Sequence, residues 1–402
     1  MQFPCTKKRF VCYNTRMTSR ERVRLALEHK EADRVPMDLW GCASRLHNKV
    51  YYGVLQELGL EGTGRIIRPG TLTEYEDYRI SDALNVDFRH INIGKPKNFK
   101  SFTDSNGNSI DEWGIGHLKN DAYNAISVHP LSDPDPSKID SYPWPDPDDP
   151  GRIEGIGELA RDYYENTTYA VTAATATSGL MFEFGQYLCG AEQFLVNLYE
   201  EELFSEKLID KLTEIITRIY LNYIRPVAPY IEWVEFACDL GTQHGPFMSL
   251  ELFRKYFKKP MAQVFGAVKK EFPGLKIMLH SCGAMSVFIP DLIECGMDIL
   301  NSLQPLARDM DSARLKKDFG NEISLHSGID IQQAMQGTAE DVEKEAVRAI
   351  TAMAGGGGYF FAPANHLQGD CPPANVITLY RCGEKYGQYP MNLSALKGEV
   401  SC

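Results

Sequence analysis

The sequence has no apolar stretch approaching the roughly 20 residues needed to span a bilayer, so no transmembrane helix is expected. It also has no basic run, and 54 acidic against 42 basic side chains leave a formal net charge of -12. Such a surface repels phosphates and anionic headgroups, which argues against nucleic acid and membrane surfaces as partners. The first residues show no basic region followed by an apolar one, and a soluble, cytoplasmic protein is the resulting expectation.

Dense cysteine spacing is missing too. Cys5, Cys12, Cys42, Cys189, Cys238, Cys282, Cys295, Cys371, Cys382 and Cys402 are scattered along the chain. They read as thiols in a reducing compartment, most of them packing residues, and not as a disulfide framework. Finally, no Gly-rich phosphate turn follows the first strand, which disfavours an open doubly wound sheet. The run from Gly355 to Gly358 stands after a helix and before a strand, where it reads as a helix stop.

What is present is an alternation of strands and helices. Apolar, β-branched or aromatic runs recur at Tyr169 to Thr177, Trp233 to Leu240, Lys276 to His280, Asp298 to Leu303, Ile323 to His326 and Gly358 to Ala362. Amphipathic stretches such as Leu250 to Glu271 and Ala339 to Ala354 separate them. Parallel strands need a crossover, usually a helix, so this order predicts a parallel sheet. A strand over Arg34 to Trp40 and another over Asp87 to Ile93 bring the count to that of an α/β (β/α)8 TIM barrel. Residues 1–16 lack periodicity and read as an N-terminal extension, whereas residues 17–402 read as a single barrel domain. Residues 95–150 break the pattern: Asn106-Gly107 is a hairpin signal, and the stretch from Pro130 to Pro150 is rich in Asp and Pro. An insertion over one mouth is expected, as a lid or as surface decoration.

In such a barrel the active site is assembled at the carboxyl ends of the strands. The polar candidates there are Asp239 with Gln243 and the nearby His244, then His280 and Cys282, then Asn301 and Gln304, then His326 and Asp330, and last Asn365 and His366, with Trp40 at the end of the first strand. His280 and Cys282 are the sharpest pair. Residues two apart on a strand point the same way, and a borderline nitrogen beside a soft sulfur suits zinc. A catalytic zinc needs a third protein ligand, for which Cys371, Asp239 and Glu235 are candidates. Cys371 could equally be a small packing residue, and Asp239 an acceptor that fixes the His280 tautomer.

Four segments, "MTSRERVRLALEHKEADRVPMDLWG", "DLGTQHGPFMSLELFRKYFKKP", "LHSCGAMSVFIPDLIECGMDILNSLQP" and "NHLQGDCPPANV", resemble in order the uroporphyrinogen decarboxylase superfamily. That superfamily also contains the corrinoid methyltransferases acting on coenzyme M and related acceptors. The resemblance runs from about Met17 to Tyr386 and implies the barrel fold. The decarboxylases carry an arginine-rich segment for their carboxylate-rich tetrapyrrole. Here the neighbourhood from Leu39 to Arg45 keeps only Arg45, so bidentate recognition of that substrate is largely lost. The methyltransferases carry a His-x-Cys pair, which His280-Ser281-Cys282 matches.

The resemblance thus implies a zinc-assisted transfer of a methyl group between a corrinoid, held by a separate corrinoid protein, and a small acceptor, a thiol first among them. From their places at the strand ends, Asp239, His280, Cys282 and His326 are the catalytic candidates and Trp40, Gln243, Gln304, Asn365 and His366 the candidate substrate contacts. The resemblance further implies Zn2+ held by His280 and Cys282, with the third place open among Cys371, taken first, Asp239 and Glu235, and a homodimer. The chain departs at Asn365, where decarboxylases have a His and the coenzyme M enzymes a third zinc-binding Cys; an amide is a poor ligand and no base. The alternative is a metal-free decarboxylase or lyase of a smaller acid, using Asp239 with His326 or His366 as acid and base. A third reading is a barrel that has lost catalysis and binds a corrinoid protein.

Overall fold

Seven short strands alternate their side chains between a central lumen and an outer layer of helices. They are β1 (Phe88–Ile91), β2 (Ala170–Ala173), β3 (Trp233–Ala237), β4 (Lys276–His280), β5 (Ile299–Asn301), β6 (Ser324–His326) and β7 (Tyr359–Phe360). They neighbour one another in chain order, all in parallel. This computed structural model describes residues 17–41, 44–119 and 124–391. The expected N-terminal extension, with Cys5, Cys12, Cys42 and Cys402, lies outside the described residues.

The two free edges of the sheet are joined by residues 36–38. Phe361 N donates to Pro36 O at 2.8 Å and Asp38 N to Phe361 O at 2.9 Å, while Asp87 N donates to Met37 O at 2.9 Å. The strand expected over Arg34 to Trp40 is therefore a short closing segment. Pro36 has no N–H to give to a ladder, and Trp40, at φ 80°, turns the chain away.

Period-two alternation divides the lumen into two layers. In the lower layer Phe88, Ala170, Trp233, Met278, Ile299 and Phe360 pack together, and Val23 and Ala26 of the helix Ser19–Leu27 plug the floor. That helix begins in a capping box, Thr18 with Glu21. Two residues further along the strands stand His90, Thr172, Glu235, His280, Asn301 and His326. All six are buried, so the upper layer of the lumen is polar.

Between β1 and β2 the chain makes a four-stranded antiparallel sheet, Phe102–Thr103, Ser109–Ile110, Gly116–Lys119 and Asn124–Val128. Gly107, at φ 86°, turns the first hairpin, as the Asn106-Gly107 pair predicts. Among the described residues, no helix is long and apolar enough to cross a membrane.

Candidate active site

The barrel opens at the carboxyl ends of its strands into a cavity of about 500 Å3. β4 delivers His280 to its floor, and the next two residues bring Cys282 beside it. The loop after β4 is pressed against the loop after β3: Ala284 N donates to Thr242 O at 2.7 Å and Leu240 N to Ser281 Oγ at 3.1 Å. Gly283, at φ 80°, is required there, because a Cβ would lie 2.3 Å from Gly241 O. This packing carries Asp239 to the pair, where its Oδ1 accepts from Cys282 N at 2.8 Å.

The ligand atoms of Asp239, His280 and Cys282 all lie within 4.8 Å of one another. Cys282 Sγ is 3.3 Å from His280 Nε2, which is 3.5 Å from Asp239 Oδ1. Tetrahedral zinc at ordinary bond lengths separates such donors by roughly 3.4–3.6 Å, so the three residues fit a zinc ion. The cavity lies on their remaining side.

The structure distributes the other expected residues unevenly. Cys371 is 4% exposed and directs its Sγ to Pro372 O, and burial pushes its thiol up to about 12. It is not among the gathered donors. The turn that begins the helix Pro373–Tyr386 seats it in the core, and the third donor gathered beside His280 and Cys282 is that of Asp239. Glu235 is fully buried in the upper lumen, 3.7 Å from His90 Nδ1, with burial pushing its carboxyl up. Asn365 reaches the pair: its Nδ2 donates to Cys282 Sγ at 3.1 Å. His366 forms part of the cavity wall and accepts from Arg45 N through Nδ1 at 3.1 Å. The atoms enclosing its ring push its pKa well below the ordinary value, so it is neutral.

Gln304 Oε1 accepts from Gln243 Nε2 at 2.7 Å and from Gly283 N at 3.1 Å, so this amide pair braces the loop that carries Cys282. Trp40 is fully buried behind the barrel wall, donating to Ser81 Oγ at 2.9 Å with its ring edge-on to Tyr51. It offers no wall to the mouth; its left-handed backbone turns the indole into the helix layer. His326 stands in the lumen, 1% exposed, held by Asp38 and Asn301. His244 is exposed on the loop after β3.

Sequence reasoning missed Glu183 and Tyr187, four residues apart on the helix Met181–Cys189 and both in the cavity wall. Their spacing places them on one helix face, a signal indistinguishable from ordinary amphipathicity. Burial, and then the charge of Asp239, pushes the Glu183 carboxyl up to about 8. Also missed was Asp38, whose partners His90 and His326 are remote in sequence. The described cavity wall includes no residue from the 95–150 insertion.

Against known proteins, residues 125–386 match the family model described as uroporphyrinogen decarboxylase (URO-D). No curated protein sequence matches the chain. Among solved structures, a methyltransferase from Methanosarcina mazei is similar over 92% of this chain and 99% of its own, with a TM-score of 0.61 at 16% identity, which shows a shared fold. A 2,3-dimethylmalate lyase of the PEP mutase/isocitrate lyase superfamily covers 86% of this chain and 78% of its own, but its TM-score of 0.32 at 8% identity carries no argument. The family match spans more than half of the chain and includes β3 to β7 with every member of the Asp239, His280 and Cys282 group, and by it the protein belongs to the uroporphyrinogen decarboxylase family.

Proposed function

We propose that this protein is a zinc-dependent methyltransferase that moves a methyl group between a corrinoid on a separate corrinoid protein and a small acceptor, a thiol first among candidates. The convergence of Asp239, His280 and Cys282 at the barrel mouth is the observation that carries this reading. The shared fold with a protein described as a methyltransferase supports it. A zinc ion bound there would supply Lewis acidity that lowers the pKa of an acceptor thiol.

The chain's own residues divide the remaining work. Asn365 donates to Cys282 Sγ and so orients the sulfur toward the cavity's donors. Asp239 holds the Cys282 backbone and offers its carboxylate beside the pair. Glu183 keeps its proton at neutral pH, so it serves as a hydrogen-bond donor in the cavity wall. The neutral His366 and Arg45 form the opposite side of the acceptor's enclosure.

The metal-free lyase reading loses its Asp239–His326 pair, because His326 is held in the lumen and does not line the cavity, and keeps Asp239 with His366, which both line it. Elemental mass spectrometry of the purified protein decides between them. Wild type is expected to hold about one zinc per chain, Cys282→Ala almost none, and methyl transfer from methylcobalamin to a panel of thiols should stop with the metal. Equal, near-zero metal in both proteins, or activity that survives chelation, removes the zinc reading.

A further inference from the structure

A continuous line of side chains runs from the mouth into the lumen. His280 Nδ1 lies 2.5 Å from Asn301 Oδ1, and Asn301 Nδ2 lies 2.7 Å from His326 Nδ1. His326 Nε2 is 3.0 Å from Asp38 Oδ2, and His90 Nε2 is 2.9 Å from Asp38 Oδ1. Asp38 and His90 are fully buried, His326 is 1% exposed and Asn301 3%. None of these five residues is adjacent to another in sequence; four separate strands and the closing segment bring them together.

We infer that Asp38, acting through His326 and Asn301 as positioning residues, sets the tautomer of His280 so that its proton sits on Nδ1 and its Nε2 lone pair faces Cys282 and Asp239. This rests on the proposed function only for what the lone pair is used for.

The direction of every bond follows from the buried end. Burial pushes the Asp38 carboxyl up, but the facing imidazoles of His90 and His326 outweigh it and hold it well below the usual carboxylate range. An ionised carboxylate can only accept, so His326 Nε2 must carry a hydrogen. Asn301 presents its amide nitrogen, which only donates, to His326 Nδ1, so that ring nitrogen is the unprotonated one. The amide is thereby oriented with Oδ1 toward His280. An oxygen only accepts, so His280 Nδ1 carries its hydrogen and Nε2 does not. Rotating the Asn301 amide by half a turn would set lone pair against lone pair at His326 or its neighbour, at a buried site where an unmet polar group is costly.

The consequence reaches the mouth. An Nε2 lone pair, a sulfur and a carboxylate oxygen then face one another, an arrangement suited to a cation. Histidine ligands generally depend on such outer partners for orientation, and losing the partner weakens metal binding roughly 10- to 100-fold.

The test uses full-length protein labelled with 15N in histidine, before and after addition of Zn2+. In wild type the imidazole shifts should show His280 protonated at Nδ1 and His326 at Nε2, even without metal. Asn301→Leu should shift His280 toward the Nε2–H tautomer and weaken Zn2+ binding, read by chelator competition, by roughly 10- to 100-fold. Asn301→Asp keeps an acceptor for Nδ1–H and should restore both readouts toward wild type. A wild-type His280 protonated at Nε2, or an Nδ1–H signal unchanged in Asn301→Leu, overturns the inference. Should Asn301→Leu not fold, His326→Gln replaces it with the same expected loss of the Nδ1–H tautomer. A protein that binds no Zn2+ but shows the Nδ1–H tautomer upholds the tautomer assignment and removes only the metal reading.

Discussion

Asp87→Ala is expected to lower stability by about 3–5 kcal/mol, the usual cost of removing one partner from a buried ion pair. Asp87 is fully buried at the start of β1. Its Oδ1 accepts from Arg22 Nη1 at 2.6 Å, from Arg34 Nη2 at 3.0 Å and from Ser19 Oγ at 2.8 Å. Its Oδ2 accepts from Arg34 Nη1 at 2.7 Å and from Met37 N at 2.8 Å. One carboxylate thus ties the floor helix, the closing segment and the first strand together. Both arginine side chains are nearly buried, at 4% and 6% exposure. Without Asp87, Arg22 keeps Asp33, but the Arg34 guanidinium is left against the carbonyls of Val35 and Asn85. A guanidinium cannot shed its charge, so the penalty is not relieved by deprotonation. Urea denaturation should show the loss as a lower midpoint with little change in slope. As a comparison, Glu232→Ala breaks a pair with Arg24, which is 49% exposed, and should cost under about 1 kcal/mol. Equal midpoints for the two variants would show that Asp87 does not hold the barrel shut.

The strand order was legible because parallel pairing forces a helix between strands, and the six runs from Tyr169 onward all contain barrel strands. The closing segment was legible as extended chain, but Pro36 and the turn at Trp40 shortened it in a way that periodicity does not register. His280 and Cys282 were legible because residues two apart in extended chain share a side, and Cys282 follows the last residue of β4 by two. The third donor was not. Asp239, Glu235 and Cys371 all lie near strand ends in the sequence, and only the packing of two loops around Gly241 and Gly283 selects Asp239. Asp38 was hidden for the same kind of reason: its bond to His326 crosses 288 residues of chain. Alternation along the strands could still have placed His90, Thr172 and Glu235 on the lumen side with His280.

Glu183→Gln should stabilise the metal-free protein at neutral pH while lowering activity. Burial, and next the charge of Asp239, pushes the folded carboxyl from its ordinary 4.5 up to about 8. The sign follows from the two values. Below the unfolded value both states hold the proton and Glu183 costs nothing. Between about 4.5 and 8 the unfolded chain releases the proton while the folded one retains it, so folding becomes less favourable as pH rises. The cost is on the order of 3 kcal/mol at pH 7, and it stops growing once the folded group also ionises. A glutamine has no proton to release, so the variant should gain about 2–3 kcal/mol at pH 7 and lose this part of the pH dependence. Denaturation midpoints from pH 5 to 9, taken with a chelator present so that no metal charge acts on the carboxyl, are the direct measurement. Parallel curves for wild type and variant would show that Glu183 ionises normally. A divergence that widens with pH would instead show a carboxylic acid held neutral beside Asp239 at the cost of stability, which is the condition for it to donate a hydrogen bond into the cavity.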